Sequence, residues 1–192
     1  MKVSLLFPPT WHPSQPYLSL PSLTGFLHQG GVSDVSQRDL GIELLDRMLT
    51  KSYAAQVYQQ LIGKQRELER SQSGETGHGS REHYSKVADS LDRFVYLEER
   101  IELAKETLRG EGFYDLDAYR GSLFMIDKWL ELVSSIYFPT RLTVVDNQFG
   151  NYSIYSSKDL MKVIQDDAQN PYRSLFRDLF IPSIVKDRPD LI

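Results

Sequence analysis

The feature that most constrains this chain is an apolar run, Val3-Ser4-Leu5-Leu6-Phe7, that stops at Pro8-Pro9. Proline has no N–H for a β ladder and biases the residue before it toward extended backbone, so the run reads as a strand followed by a loop. After the loop, Leu18 to Leu27 reads as a helix, with Pro21 in its first turn and Gly30-Gly31 closing it. A second strand is expected at Asp34 to Leu40. Strand, helix and strand in that order predict a parallel βαβ unit with adjacent strands, crossed by a helix that buries Leu23, Phe26 and Leu27. Ligands of open parallel sheets sit beyond the carboxyl ends of the strands, which here are the Pro8 to Tyr17 loop and the Arg38-Asp39 corner.

From about Met48 to Tyr137 the sequence becomes helical and charged. Ala54, Val57, Tyr58, Leu61 and Leu68 mark one helix face. The stretch Ser71 to Ser80 interrupts it with three glycines and three serines, the composition of a linker. Tyr84, Val87, Leu91, Phe94, Ile101 and Leu108 then recur at helical spacings over about seven turns, with Glu82/Lys86 and Asp89/Arg93 set as i,i+4 surface pairs. Gly110 and Gly112 end that helix. A third helix carries Tyr119, Leu123, Ile126, Leu130, Val133 and Tyr137, the pattern of a bundle seam. Beyond Pro139, Arg141 to Val145 and Tyr152 to Tyr155 read as short extended pieces around a turn at 146–151. Ser156-Ser157 offers a cap for a helix over Lys158 to Asp166, and Asn170-Pro171 opens a last helix whose apolar face includes Leu175, Phe176, Leu179, Phe180, Ile184 and Val185.

Composition restricts the chemistry. The 192 residues include 41% hydrophobic side chains, enough to bury a core, and the net charge of −4 shows no basic patch of the kind that phosphate backbones require. No apolar run approaches the ~20 residues of a bilayer span, so neither nucleic acid nor membrane is an expected partner and a cytoplasmic location is the expectation. There is no cysteine. Disulfides, thiolate zinc sites, cysteine nucleophiles and cysteine-held iron–sulfur clusters are therefore outside this chain's own repertoire.

The run Phe7-Pro8-Pro9-Thr10-Trp11-His12-Pro13, with Pro16 to Leu23 and Arg38-Asp39-Leu40, closely resembles the amino terminus of cobalamin-binding-domain radical SAM proteins. The resemblance continues through Phe113-Tyr114-Asp115, Tyr137-Phe138-Pro139-Thr140-Arg141-Leu142, Asn170-Pro171-Tyr172 and Arg188-Pro189-Asp190-Leu191-Ile192, so it touches both ends of the chain. It implies an α/β fold: a partial Rossmann-like sheet of the cobalamin-binding type, from residues 1–47 and 138–192, with a helical insertion at 48–137 and a flexible linker at 71–80. It also implies an amino-terminal piece of a longer enzyme. The remaining core strands and the radical SAM domain would lie beyond Ile192, and that domain would be this chain's partner.

In such an enzyme, cobalamin would be bordered by Pro8, Pro9, Thr10, Trp11, His12, Tyr17, Arg38 and Asp39. S-adenosylmethionine and a 4Fe-4S cluster would belong to the parent alone. His12 is expected as a polar contact rather than a cobalt ligand. The Asp-x-His-x-x-Gly motif of cobalamin-dependent methyltransferase and mutase modules is absent. The 192-residue chain alone is expected to be non-catalytic, to bind cobalamin weakly or not at all, and to associate as a homodimer over its open sheet edge. Of the other charged candidates, His28 suits a helix carboxyl end. His78 and His83 lack a third metal ligand nearby, and Glu98, Glu99 and Glu102 form a solvated charge run. A different reading makes the chain a non-catalytic interaction module that binds a partner through the 48–137 helices.

Overall fold

A computed structural model describes residues 1–8, 18–71 and 78–192. It is rich in helix and divides into two compact units, one formed by Met1–Asp46 with Tyr172–Ile192 and the other by Arg47–Pro171. Among the described residues, no helix is long and apolar enough to cross a membrane.

The first unit is built on two parallel strands, β1 (Lys2–Phe7) and β2 (Asp34–Asp39), in the register Lys2↔Asp34 through Phe7↔Asp39. Helix α1 (Ser19–Gln29) connects them. The expected βαβ order is present, and so is its punctuation: Gly31 turns the chain after α1 at φ 83°, a region that suits glycine because it has no Cβ to clash. The expected buried face of α1 is present only at Leu27, which is half-buried. Leu23 and Phe26 are exposed, whereas Leu20 is buried and the Thr24 hydroxyl comes within 3.4 Å of Gln37. The helix meets the sheet along the line of Leu20, Thr24 and Leu27, four and then three residues apart, and a two-stranded sheet is too narrow to cover more of it.

The far side of β1 is also engaged. Val3 forms a parallel bridge with Leu191, the Ser4 N–H donates to the Leu191 carbonyl at 2.9 Å, and the Asp190 N–H donates to the Lys2 carbonyl at 2.8 Å. Asp190 also accepts from the Lys2 N–H at 2.7 Å through its carboxylate. Val3 is accordingly only 1% exposed. The segment from Tyr172 is one continuous helical run in three parts: α7 (Tyr172–Leu175), a π-helical turn (Phe176–Phe180) and α8 (Ile181–Asp187). Arg188, at φ 47°, and Pro189 end the run.

Helix α2 (Leu40–Met48) passes from the first unit into the second, where α3 (Lys51–Ser71), α4 (His78–Arg109) and α5 (Leu116–Ile136) pack together. Most expected seam positions are buried, among them Val57, Leu61, Val87, Phe94, Ile101, Ile126, Leu130 and Val133, whereas Tyr58, expected on the same face of α3, is exposed. Trp129 is completely buried and its ring lies 5.9 Å from that of Phe94. Asp115 caps α5, its carboxylate accepting from the N–H groups of Asp117 and Ala118 at 3.0 and 2.9 Å. Helix α4 begins at His78, within the stretch read from sequence as linker.

Past α5 the extended segments differ from those expected: only Arg141–Leu142 of the first is strand, and the second strand falls at Asn147–Gln148, inside the stretch expected as a turn. β3 (Arg141–Leu142) and β4 (Asn147–Gln148) form a small antiparallel pair. Tyr152 to Tyr155, expected to be extended, is a turn instead, with the Tyr152 N–H donating to the Phe149 carbonyl and the Tyr152 hydroxyl donating to Asp166 at 2.8 Å. Helix α6 (Ser157–Gln165) starts where expected, with the Ser156 hydroxyl accepting from the Asp159 N–H.

Candidate functional site

The carboxyl edge of the parallel sheet is formed by Phe7-Pro8 from β1 and Arg38-Asp39 from β2. Pro9, Thr10, Trp11, His12 and Tyr17 lie outside the described residues. Arg38 makes a forked ion pair with Glu43, Nε to Oε1 at 2.9 Å and a terminal nitrogen to Oε2 at 2.5 Å. Its other terminal nitrogen donates to the Ser183 hydroxyl at 2.7 Å, and the guanidinium lies 5.7 Å from the centre of the Phe180 ring. The hydrogen bond to Glu43 raises the Arg38 pKa further, so the side chain is a fixed cation. Asp39 caps α2: its Oδ1 accepts from the N–H groups of Gly41 and Ile42 at 3.0 and 3.1 Å. Both residues therefore brace the sheet edge with their polar atoms, since a forked guanidinium pair fixes geometry as well as charge.

Sequence reasoning missed a concave feature contained within residues 47–171. A polar cleft of about 590 Å³ opens between α4 and α5 and is closed off by the segment 138–151. Helix α4 contributes Lys86, Asp89, Ser90 and Arg93, and α5 contributes Asp127, Lys128, Glu131, Ser134 and Ser135. Ser90, Ser134 and Ser135 are buried, and small side chains there leave the space between the helices open. The Ser134 hydroxyl donates to the Leu130 carbonyl and accepts from the Leu142 N–H, both at 2.7 Å, which fastens β3 to α5. About two turns earlier on α5, Asp127 holds the chain just past β3, accepting from the Val144 N–H at 3.1 Å.

Charge in the cleft is largely paired. Arg93 binds Asp89, and Lys128 binds Glu131 at 2.7 Å. Lys86 pairs with Glu82 at 3.0 Å and stands 4.6 Å from the centre of the Phe138 ring. The hydrogen bond from Lys128, with the added fields of Lys128, Arg93 and Arg141, holds the Glu131 carboxyl below the usual carboxylate range. His83 stacks on Phe138 at 5.0 Å, and its Nε2 lies 2.8 Å from the Ser135 carbonyl oxygen. Burial lowers the His83 pKa, outweighing the contribution of that carbonyl. Gly150, at φ 51°, sits where a Cβ would collide with Gln169.

Among the described residues, no group of three or more His, Asp and Glu side chains could hold a metal ion. Glu102 accepts from the Lys51 N–H at 3.2 Å and Glu99 pairs with Arg100 at 3.5 Å. No family model, curated protein or solved structure matches the chain. The one sequence signal toward the cleft was the run Tyr137 to Leu142, which contains both Phe138 and Arg141.

Proposed function

We propose that residues 1–46 with 172–192, a narrower set than the 1–47 and 138–192 that the resemblance implies because 138–171 cluster with the helices, are the amino-terminal portion of a Rossmann-like, cobalamin-binding-type domain, and that the parent protein is a radical SAM enzyme in which this portion helps to orient cobalamin and substrate. The resemblance of the sequence is the origin of this reading. The observation that carries it further is the parallel bridge from Val3 to Leu191, on the side of β1 opposite β2. It gives the spatial order β2, β1, Leu191, so the chain switches direction of travel across the sheet at β1. Ligands in doubly wound sheets gather at such a switch, beyond the carboxyl ends of the strands.

The fit to a corrinoid lies in that backbone arrangement, with the Pro8 to Tyr17 segment following directly after β1. Direct contact would fall to Pro8, Pro9, Thr10, Trp11, His12 and Tyr17. Arg38 and Asp39, engaged by Glu43, Ser183 and the start of α2, would keep the edge in shape. When bound, cobalamin supplies the methyl or radical chemistry, and the protein supplies position and exclusion of water. The cluster must be held elsewhere, since this chain has no cysteine.

The test is the visible absorption of protein expressed from the gene's entire reading frame and loaded with hydroxocobalamin. A stoichiometric bound corrinoid, weakened in Trp11→Ala and His12→Ala, is the expected result. A protein that retains no corrinoid, or retains it equally well in both variants, would remove this reading.

A further inference from the structure

In the cleft between α4 and α5, two groups of opposite charge retain unused bonding capacity. The Arg141 guanidinium is exposed and has no hydrogen bond or ion pair among the described residues. Asp127 uses Oδ1 to accept from Val144, and its Oδ2 has no partner among them. The other charges of the cleft are already matched, Asp89 with Arg93 and Glu131 with Lys128, while Lys86 is held by Glu82 and Phe138.

We infer that this cleft binds a small zwitterion of the amino-acid or short-peptide class, its carboxylate on Arg141 and its ammonium on Asp127. The sign pattern decides the class. A ligand with only negative charge would meet Asp89, Asp127 and Glu131 along with the arginines, and one with only positive charge would meet Lys86, Arg93, Lys128 and Arg141. A molecule carrying both charges satisfies both open groups and adds no net charge to a space where the rest is paired. A guanidinium offers a carboxylate two parallel donors, which fixes orientation as well as adding energy. Phe138, Pro139 and Leu142 supply the apolar part of the lining, and the cleft's volume lies in the usual range for small-ligand sites. The inference does not depend on corrinoid binding, which concerns the other unit.

The experiment titrates the whole chain with L-leucine, N-acetyl-L-leucine and L-leucinamide, followed by calorimetry and by the amide resonances of Leu142 and Val144. L-leucine is expected to bind and to shift both resonances, with the acetylated and amidated compounds at least tenfold weaker. Arg141→Gln and Asp127→Asn should each weaken L-leucine by tenfold or more. Asp127→Asn retains an oxygen that accepts from Val144, and Arg141→Lys, which keeps the charge without the fork, should lie between Arg141→Gln and the parent. Equal binding of N-acetyl-L-leucine or L-leucinamide would overturn the zwitterion assignment, as would no shift at Leu142 and Val144 with any of the three.

Discussion

The indole N–H of Trp129 donates to the main-chain carbonyl of Met48 at 2.9 Å, tying the middle of α5 to the end of α2 across 81 positions of sequence. Both residues are essentially inaccessible to solvent. Trp129→Phe would leave the Met48 carbonyl without its donor, an omission that costs about 1–3 kcal/mol, and would open space beside Phe94. Urea denaturation should show the midpoint falling with little change in slope. An unaltered midpoint would mean that the bond contributes nothing.

Gly150 offers a separate test of the segment that closes the cleft. Its positive φ already disfavours any side chain with L chirality, by roughly 1–2 kcal/mol, and an added methyl would also collide with Gln169. Gly150→Ala should lower thermal stability and broaden the amide resonances of 148–151. Gly25→Ala is the matched control, since a Cβ there meets nothing within 4 Å and α1 should gain from it.

Stability should fall in mild acid through His83. Its folded pKa lies below the ordinary value of 6.5, so between the two the unfolded chain binds the proton and the folded chain does not. Stability is then full above the unfolded value and declines as pH drops below it. His83→Gln should flatten the urea midpoint between pH 7 and pH 5. A parent protein whose midpoint does not fall over that interval would refute the assignment.

The Arg38–Glu43 pair should be worth more than an open surface pair, because it is forked and its side chains are only 21% and 37% exposed. A double-mutant cycle with Arg38→Gln and Glu43→Gln should give a coupling of about 1 kcal/mol, at the upper end for partly exposed pairs. Raising the salt concentration should reduce it only slightly. A coupling near zero would place the edge's rigidity in α2 and α8 instead.

The parts of the fold that were legible in the sequence carried their own punctuation. Pro8 and Gly31 bracket the first strand and helix, and the bundle seams repeat apolar residues at spacings that only a helix satisfies. The buried line of α1 was hidden, because Leu18, Leu20, Leu23, Phe26 and Leu27 surround the helix and which of them faces inward depends on the width of the sheet. The cleft was hidden for another reason. Asp89 and Arg93 look like an ordinary i,i+4 pair, and only the approach of α5 and of the 138–151 segment makes them part of a concavity. The β propensity of Tyr152 points to an extended segment, whereas its hydroxyl's bond to Asp166 favours a turn.

The bridge between Val3 and Leu191 also sets a timetable for synthesis. Residues 47–171 leave the ribosome as an uninterrupted stretch, and the mainly local contacts of its helices let it fold early. The first strand waits much longer. Its pairing with β2 is available once Asp39 has been made, but its other edge, at Lys2 and Ser4, stays open until Asp190 and Leu191 follow. Through that interval the nascent chain carries an unguarded strand edge, the kind that chaperones bind and that neighbouring chains can capture.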